Sequence, residues 1–125
     1  MSGLCLAAGT VAVVLAVDAF TLGWTHSVEK VEWQEDWRVT AEGLVIEEDR
    51  VKGHGAGMEP PAGSVNAGGW WRYRPAVGPL PEVTLARSDA VADWLLCVQG
   101  ACRSLTDYLP GDDRRTPVTM RPCPE

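Results

Sequence analysis

The sequence has no cluster of basic residues of the kind that nucleic-acid-binding proteins use. Its 11 Lys and Arg residues are outnumbered by 17 Asp and Glu residues, so the formal net charge is −6 at pH 7. Binding to nucleic acid or to an anionic membrane surface needs concentrated positive charge. We therefore expect a small acidic globular protein that does not bind nucleic acid.

The sequence also lacks an apolar run long enough to cross a bilayer. The longest such run, from Leu4 to Val17, contains a turn signal at Gly9-Thr10, and a spanning helix needs about 20 apolar residues. We expect no transmembrane segment and interpret the run as two short buried strands. A secretory signal peptide is the alternative, although the leading "MSG" has no positive charge. Without a clear signal peptide, the sequence alone favours the cytoplasm.

Helical periodicity and internal repeats are also missing. Short apolar or alternating runs are instead separated by turn residues, which is typical of an all-β fold. We predict an antiparallel sandwich or partly open barrel of about eight or nine short strands. Residues 1–110 are expected to form a single β domain, and the Pro-rich polar tail 111–125 to be poorly ordered. The candidate strands are Leu4–Ala8, Val11–Val17, Ala19–Ser27, Val31–Thr40, Leu44–Val51, Trp70–Arg74, Glu82–Arg87, Ala92–Val98 and Cys102–Thr106.

The four cysteines do not have the spacing of a zinc site, because Cys97 and Cys102 are separated by four residues rather than two. If Gln99-Gly100 is a two-residue hairpin turn, Cys97 faces Cys102 across the strands. That position suits a cross-strand disulfide in an oxidising compartment. Two small buried thiols are the alternative in a reducing one. We predict no metal site and no cofactor.

The stretch "WTHSVEKVEWQEDW", Trp24–Trp37, contains three tryptophans, four acids and a histidine. We interpret it as part of a hairpin with its tip at Glu29-Lys30, in which residue i pairs with residue 59 − i. In that register His26 faces Trp33, and His26 and Glu35 both point inward between tryptophan side chains. Their diagonal positions are close enough for an imidazole to reach a carboxylate.

This arrangement has three interpretations: a satisfied polar pair in the core, a small-ligand site, or a catalytic or metal centre. A buried carboxylate needs a partner, and His26 and Arg50 are the two candidates. Ser27 points to the other face, so it cannot act with His26 as nucleophile and base, and we predict no enzyme. A metal site from His26, Glu35 and His54 would depend on a loop residue, which makes it a weak hypothesis.

One long loop stands out from Gly53 to Gly69. It holds six of the 13 glycines, and hairpin connections are ordinarily about two to five residues long. A loop of this length is functional or mobile. Its exposed backbone amides are candidates for contacts with a ligand.

Several blocks resemble an uncharacterised bacterial family, domain of unknown function 1850. They are "FTLGWTHSVEKVEWQEDWRV", "GLVIEEDRVKGHGAGMEP", "WWRYRP" and "LPEVTLARSDAVADWLLCVQGACRSL". The resemblance extends from about Leu4 to Pro110. Its most distinctive parts are "HSVE" with a downstream Glu and the "GxGAGM" loop.

The resemblance implies a function without implying an activity. Members of the family look like small proteins encoded beside the permease and the solute-binding protein of TAXI-type TRAP transporters. It therefore implies a non-enzymatic accessory protein that contacts the permease or its solute-binding protein, in the periplasm or at the membrane. A small-ligand or metal-binding module is the alternative. The candidate ligand-binding positions are His26, Ser27, Glu29, Glu35, Gly53, Gly55, Ala56, Gly57 and Met58.

Overall fold

The computed structural model describes residues 3–25, 32–52 and 63–124 of the chain. Those residues form eleven strands and one short helix. In chain order they are β1 (Leu4–Ala8), β2 (Val11–Leu15), β3 (Ala19–Thr25), β4 (Glu32–Thr40), β5 (Gly43–Lys52), β6 (Val65–Ala67), β7 (Trp70–Tyr73), β8 (Val83–Leu85), β9 (Leu95–Val98), β10 (Ala101–Ser104), α1 (Leu105–Tyr108) and β11 (Val118–Pro122).

The strands make two antiparallel sheets with a shared apolar core. The larger sheet has the order β10-β9-β3-β4-β5-β7-β6, and the smaller one has the order β2-β1-β11-β8. Alternate side chains of both sheets enter the core, such as Leu4 and Leu6 of β1 and Leu22 of β3, each at most 1% exposed. The predicted all-β sandwich is therefore confirmed. No helix in the described ranges is long and apolar enough to cross a membrane.

The hairpin of β3 and β4 is present, but its predicted register is wrong by two residues. Phe20 pairs with Trp37, and Trp24 pairs with Trp33. Each pair stacks, with ring centroids 6.0 Å and 5.8 Å apart respectively. Direct cross-strand stacking of aromatic rings stabilises a register. Because the error is an even number of residues, the assignment of side chains to the two faces is unaffected.

The C-terminal segment is not the poorly ordered tail that its proline content predicts. Strand β11 lies between β1 and β8 in the smaller sheet. Its residues Val118 and Met120 are fully buried. The strand is only five residues long and ends at a proline, so the flanking polar and proline residues concealed its alternating pattern.

A buried ion pair fixes the segment before β11. The Arg87 guanidinium donates to both carboxylate oxygens of Asp112 at 2.6 Å and to the Thr116 carbonyl at 2.9 Å. Both charged side chains are 1% exposed. A buried charge is tolerated where it is paired and hydrogen-bonded, so this contact holds residues 112–116 against the segment that follows β8.

The long loop predicted from Gly53 to Gly69 is shorter in the structure. Strand β6 pairs with β7 and forms an edge of the larger sheet. All three of its residues are exposed, so it has no apolar face that a sequence pattern could reveal. The part of the loop from 53 to 62 lies outside the described residues.

Two disulfide bonds join all four cysteines. The hairpin of β9 and β10 has the predicted turn, with Gln99 and Gly100 at positive φ, and the structure bonds Cys97 to Cys102 across it. The second bond joins Cys5 to Cys123, a pairing that was not predicted from the cysteine spacing. It connects β1 to the residue that follows β11, two elements that are neighbours in the smaller sheet.

The two bonds should differ strongly in their contribution to stability. The Cys5–Cys123 bond closes a loop with a sequence separation of 118, and the Cys97–Cys102 bond one with a separation of 5. Chain-entropy arguments give about 5 and about 2 kcal/mol respectively. We expect the double variant Cys5→Ser/Cys123→Ser to lose clearly more free energy of unfolding than Cys97→Ser/Cys102→Ser in urea titrations. An equal or reversed loss would contradict this topology.

Candidate functional site

A β-bulge in β5 determines which charged residues face the interior of the larger sheet. Trp37 pairs with Ile46 but Asp36 pairs with Glu48, so Glu47 is an extra residue on β5. The inward positions of β5 therefore change from Leu44 and Ile46 to Asp49 and Val51. With a regular period of two, Glu48 and Arg50 would point inward instead. The carbonyl of Glu47 accepts a hydrogen bond from Arg74 at 3.1 Å.

As a result, two carboxyl groups lie directly opposite each other. Glu35 of β4 pairs with Asp49 of β5, and Asp49 pairs with Tyr73 of β7. On the other side Glu35 pairs with Leu22 of β3. Like charges directly opposite each other on neighbouring strands are destabilising, so this row needs a mechanism that removes one charge.

Protonation provides that mechanism. Burial, followed by the hydrogen bond and the charge of Asp49, raises the pKa of Glu35 from 4.5 to about 8. Burial also raises the pKa of Asp49, and burial followed by the two carboxylates raises the pKa of the Tyr73 hydroxyl. Two carboxyl groups at this separation cannot both ionise at low cost. At neutral pH the pair therefore shares one proton and carries about one negative charge.

Among the residues that the structure describes, three buried polar atoms on this face have no hydrogen-bond partner: Asp49 Oδ1 and the indole Nε1 atoms of Trp33 and Trp37. Trp37 is 3% exposed and Asp49 is 7% exposed. The Trp37 indole opposes the rise in the Glu35 pKa, so its N–H group is directed at that carboxyl group. Buried polar groups are normally paired, and three unpaired ones beside a carboxyl pair are typical of a binding site.

The opposite face of the same strands carries paired charges. Arg50 donates to Asp36 at 2.6 and 2.9 Å and to Glu48 at 2.9 Å. Thr21 donates to Asp36 at 2.7 Å, and Arg72 donates to Glu48 at 2.8 Å. These bonds account for the lowered pKa of Asp36, chiefly through Arg50. This face is a network of ion pairs that stabilises the sheet from its solvent side.

The candidate positions of the sequence have separate outcomes. Glu35 points inward beside Trp33 and Trp37, as predicted. The prediction that Arg50 is a candidate partner of Glu35 is wrong, because the bulge turns Arg50 to the opposite face. The remaining candidates lie outside the described residues: His26, Ser27, Glu29, Gly53, Gly55, Ala56, Gly57 and Met58.

The sequence did not identify Asp49 and Tyr73 as site residues. Asp49 lies in the acidic run "EEDR", which is typical of a solvated strand. Only a bulge could turn it inward, and no turn residue marks the bulge at Glu47. In the described ranges, no group of three or more His, Cys, Asp and Glu side chains is placed to hold a metal ion.

Comparison with known proteins adds the family. The model of domain of unknown function 1850 matches residues 20–105, which is more than half of the chain. The chain belongs to this family. The matched region contains β3, β4, β5 and β7, so the carboxyl pair and its aromatic neighbours lie inside the domain of unknown function 1850. No curated protein and no solved structure matches the chain.

The shared proton predicts a specific dependence of stability on pH. Between the ordinary pKa of 4.5 and the raised value of about 8, folded Glu35 retains a proton that unfolded Glu35 has lost. Unfolding then releases a proton, so the free energy of unfolding contributed by Glu35 falls as pH rises and levels off above about 8. Glu35→Gln removes this term and still offers an N–H donor to Asp49.

Between pH 5 and pH 8, we expect the free energy of unfolding of Glu35→Gln to increase by about 2–3 kcal/mol relative to that of the wild type. This figure allows for solvent screening of a partly exposed group. Urea titrations at both pH values measure this. Glu48→Gln, the same change one residue before Asp49 on the opposite face, should retain the wild-type dependence. A difference between wild type and Glu35→Gln that is equal at both pH values would refute the shared proton.

Proposed function

We propose that this protein is a non-enzymatic accessory protein of a TRAP-type solute-transport system of the TAXI class. It binds the permease, its solute-binding protein or the solute through the face that carries Glu35 and Asp49. The observation that supports a binding role is the carboxyl pair with three buried polar atoms that lack partners. The transporter is suggested by the family resemblance, whose members look like neighbours of TAXI-type permease and solute-binding genes.

The disulfide bonds support a particular compartment for this role. Both bonds are of the kind that persists in oxidising surroundings and is rare in a reducing cytosol. They support a periplasmic or membrane-associated location, where a solute-binding protein and the outer loops of a permease are accessible.

A second candidate function is a small-ligand-binding module that acts without a transporter. The same unpaired atoms favour it, because a ligand that supplies donors and acceptors would satisfy them. In this second function, the face that carries Glu35 and Asp49 binds a free small molecule and does not contact a transport component. The partner experiment below separates the two functions.

Affinity capture of the tagged protein from its native membranes tests the accessory role. We expect the TAXI permease or its solute-binding protein to be retained above the level obtained with an unrelated tagged protein of similar acidity. The variants Glu35→Gln and Glu48→Gln supply a matched pair, since each removes one carboxylate from opposite faces of the same sheet. Glu35→Gln should reduce retention and Glu48→Gln should preserve it.

Retention of neither transport component by the wild type, in membranes that contain both, would refute the accessory role. Equal retention by wild type and both variants would support the accessory role and exclude the Glu35 face as its contact surface.

A further inference from the structure

The carboxyl pair has no positive charge on its own face in the four strands around it. The basic residues of β4, β5 and β7 are Arg38, Arg50, Lys52 and Arg72, and the registers place all four on the opposite face. All four are engaged there: Arg38, Arg50 and Arg72 with carboxylates, and Lys52 above the Trp70 ring at 5.8 Å. Within the described residues, a proton is therefore the compensation that Glu35 and Asp49 have on their own face, and the charge of Arg50 acts on Asp49 from the opposite face.

The surroundings of the pair are aromatic rather than ionic. Trp33 and Trp37 lie beside Glu35 along β4, and Tyr73 lies beside Asp49 across β7. Aromatic faces attract a cation through their negative π surface, and carboxylates accept its N–H donors. Glu35 and Tyr73 are half-buried, so solvent reaches the pair along this row. The unpaired Asp49 Oδ1 is an acceptor without a donor.

We propose that Glu35 and Asp49 bind the protonated amino group of a small organic ligand. The inference rests on the binding role proposed above and specifies its ligand class. The ammonium group supplies donors to both carboxylates in place of the proton that they shared, which passes to solvent, so the net charge of the site stays at about −1. The indole N–H groups of Trp33 and Trp37 flank Glu35 along β4 and are donors available to a hydroxyl group of the same ligand, which points to an amine that carries a hydroxyl group.

Four probes of similar size separate these contributions: ethanolamine, ethylammonium, ethylene glycol and glycolate. The first has an ammonium and a hydroxyl group, the second only the ammonium, the third only hydroxyls, and the fourth a negative charge. Titrations at pH 7 and constant ionic strength are followed by the ¹H–¹⁵N signals of the indole groups of Trp33 and Trp37, assigned with Trp→Phe variants. We expect saturable shifts with ethanolamine, weaker binding of ethylammonium, and none with the other two.

The matched variants test the assignment to the carboxyl pair. Glu35→Gln and Asp49→Asn should each weaken ethanolamine binding at least tenfold, whereas Glu48→Gln should remain within twofold of wild type. The same spectra show whether each variant is folded. If Asp49→Asn does not fold, Glu35→Gln decides the result, because its amide retains the shape and one donor of the protonated acid.

The source of the ammonium group is tested with Nα-acetyl-lysine amide. Tighter binding of this compound than of ethanolamine supports the ammonium site and assigns its occupant to a lysine side chain of a protein partner. The proposal would be overturned if neither ethanolamine nor Nα-acetyl-lysine amide shifts the two indole signals. It would also be overturned if ethylene glycol or glycolate binds as tightly as ethanolamine, or if the affinity is unchanged in Glu35→Gln.

These outcomes are independent of the transporter. Amine binding without capture of transport components refutes the accessory role and leaves the ammonium site standing. Capture that depends on Glu35 without amine binding refutes the ammonium site alone.

Discussion

The site depends on one extra residue in a strand. The bulge at Glu47 reverses the alternation of β5, so that Asp49 rather than Arg50 faces the interior of the larger sheet. Without this reversal, Glu48 would lie opposite Glu35, and Arg50 would share their face and compensate part of their charge. With it, one acid faces another, and the arginine closes an ion-pair network on the other side of the same sheet.

The two faces of the sheet thus have opposite electrostatic characters. On the outer face Asp36, Glu47 and Glu48 each have an arginine partner, and Asp36 also accepts from Thr21. On the inner face, in the part of the chain that the structure describes, Glu35 and Asp49 have each other and a proton and lie among indole rings. A fold selected for stability alone would replace such a pair with apolar residues. A strained, half-satisfied polar cluster inside an otherwise complete core is typical of a site retained for binding.

The sequence predicted the architecture better than the site. The alternation in β3 and β4 was sufficient to place Glu35 and three tryptophans on one face, because that assignment survives a two-residue error in register. The sequence did not predict that Asp49 lies opposite Glu35, because no local residue marks the bulge that turns Asp49 inward. Strand β11 and the Cys5–Cys123 bond were missed for a related reason: both depend on pairing between the two ends of the chain, which local patterns do not contain.

The protonation of Glu35 itself is the most direct test. ¹³C-detected NMR of the side-chain carboxyl carbons follows Glu35 and Asp49 individually through a pH titration. We expect Glu35 to titrate near pH 8 and Asp49→Asn to lower this midpoint towards the ordinary value, since the carboxylate of Asp49 is one cause of the shift. A Glu35 carboxyl group that titrates near its ordinary pKa in the folded wild type would show that the two acids do not share a proton.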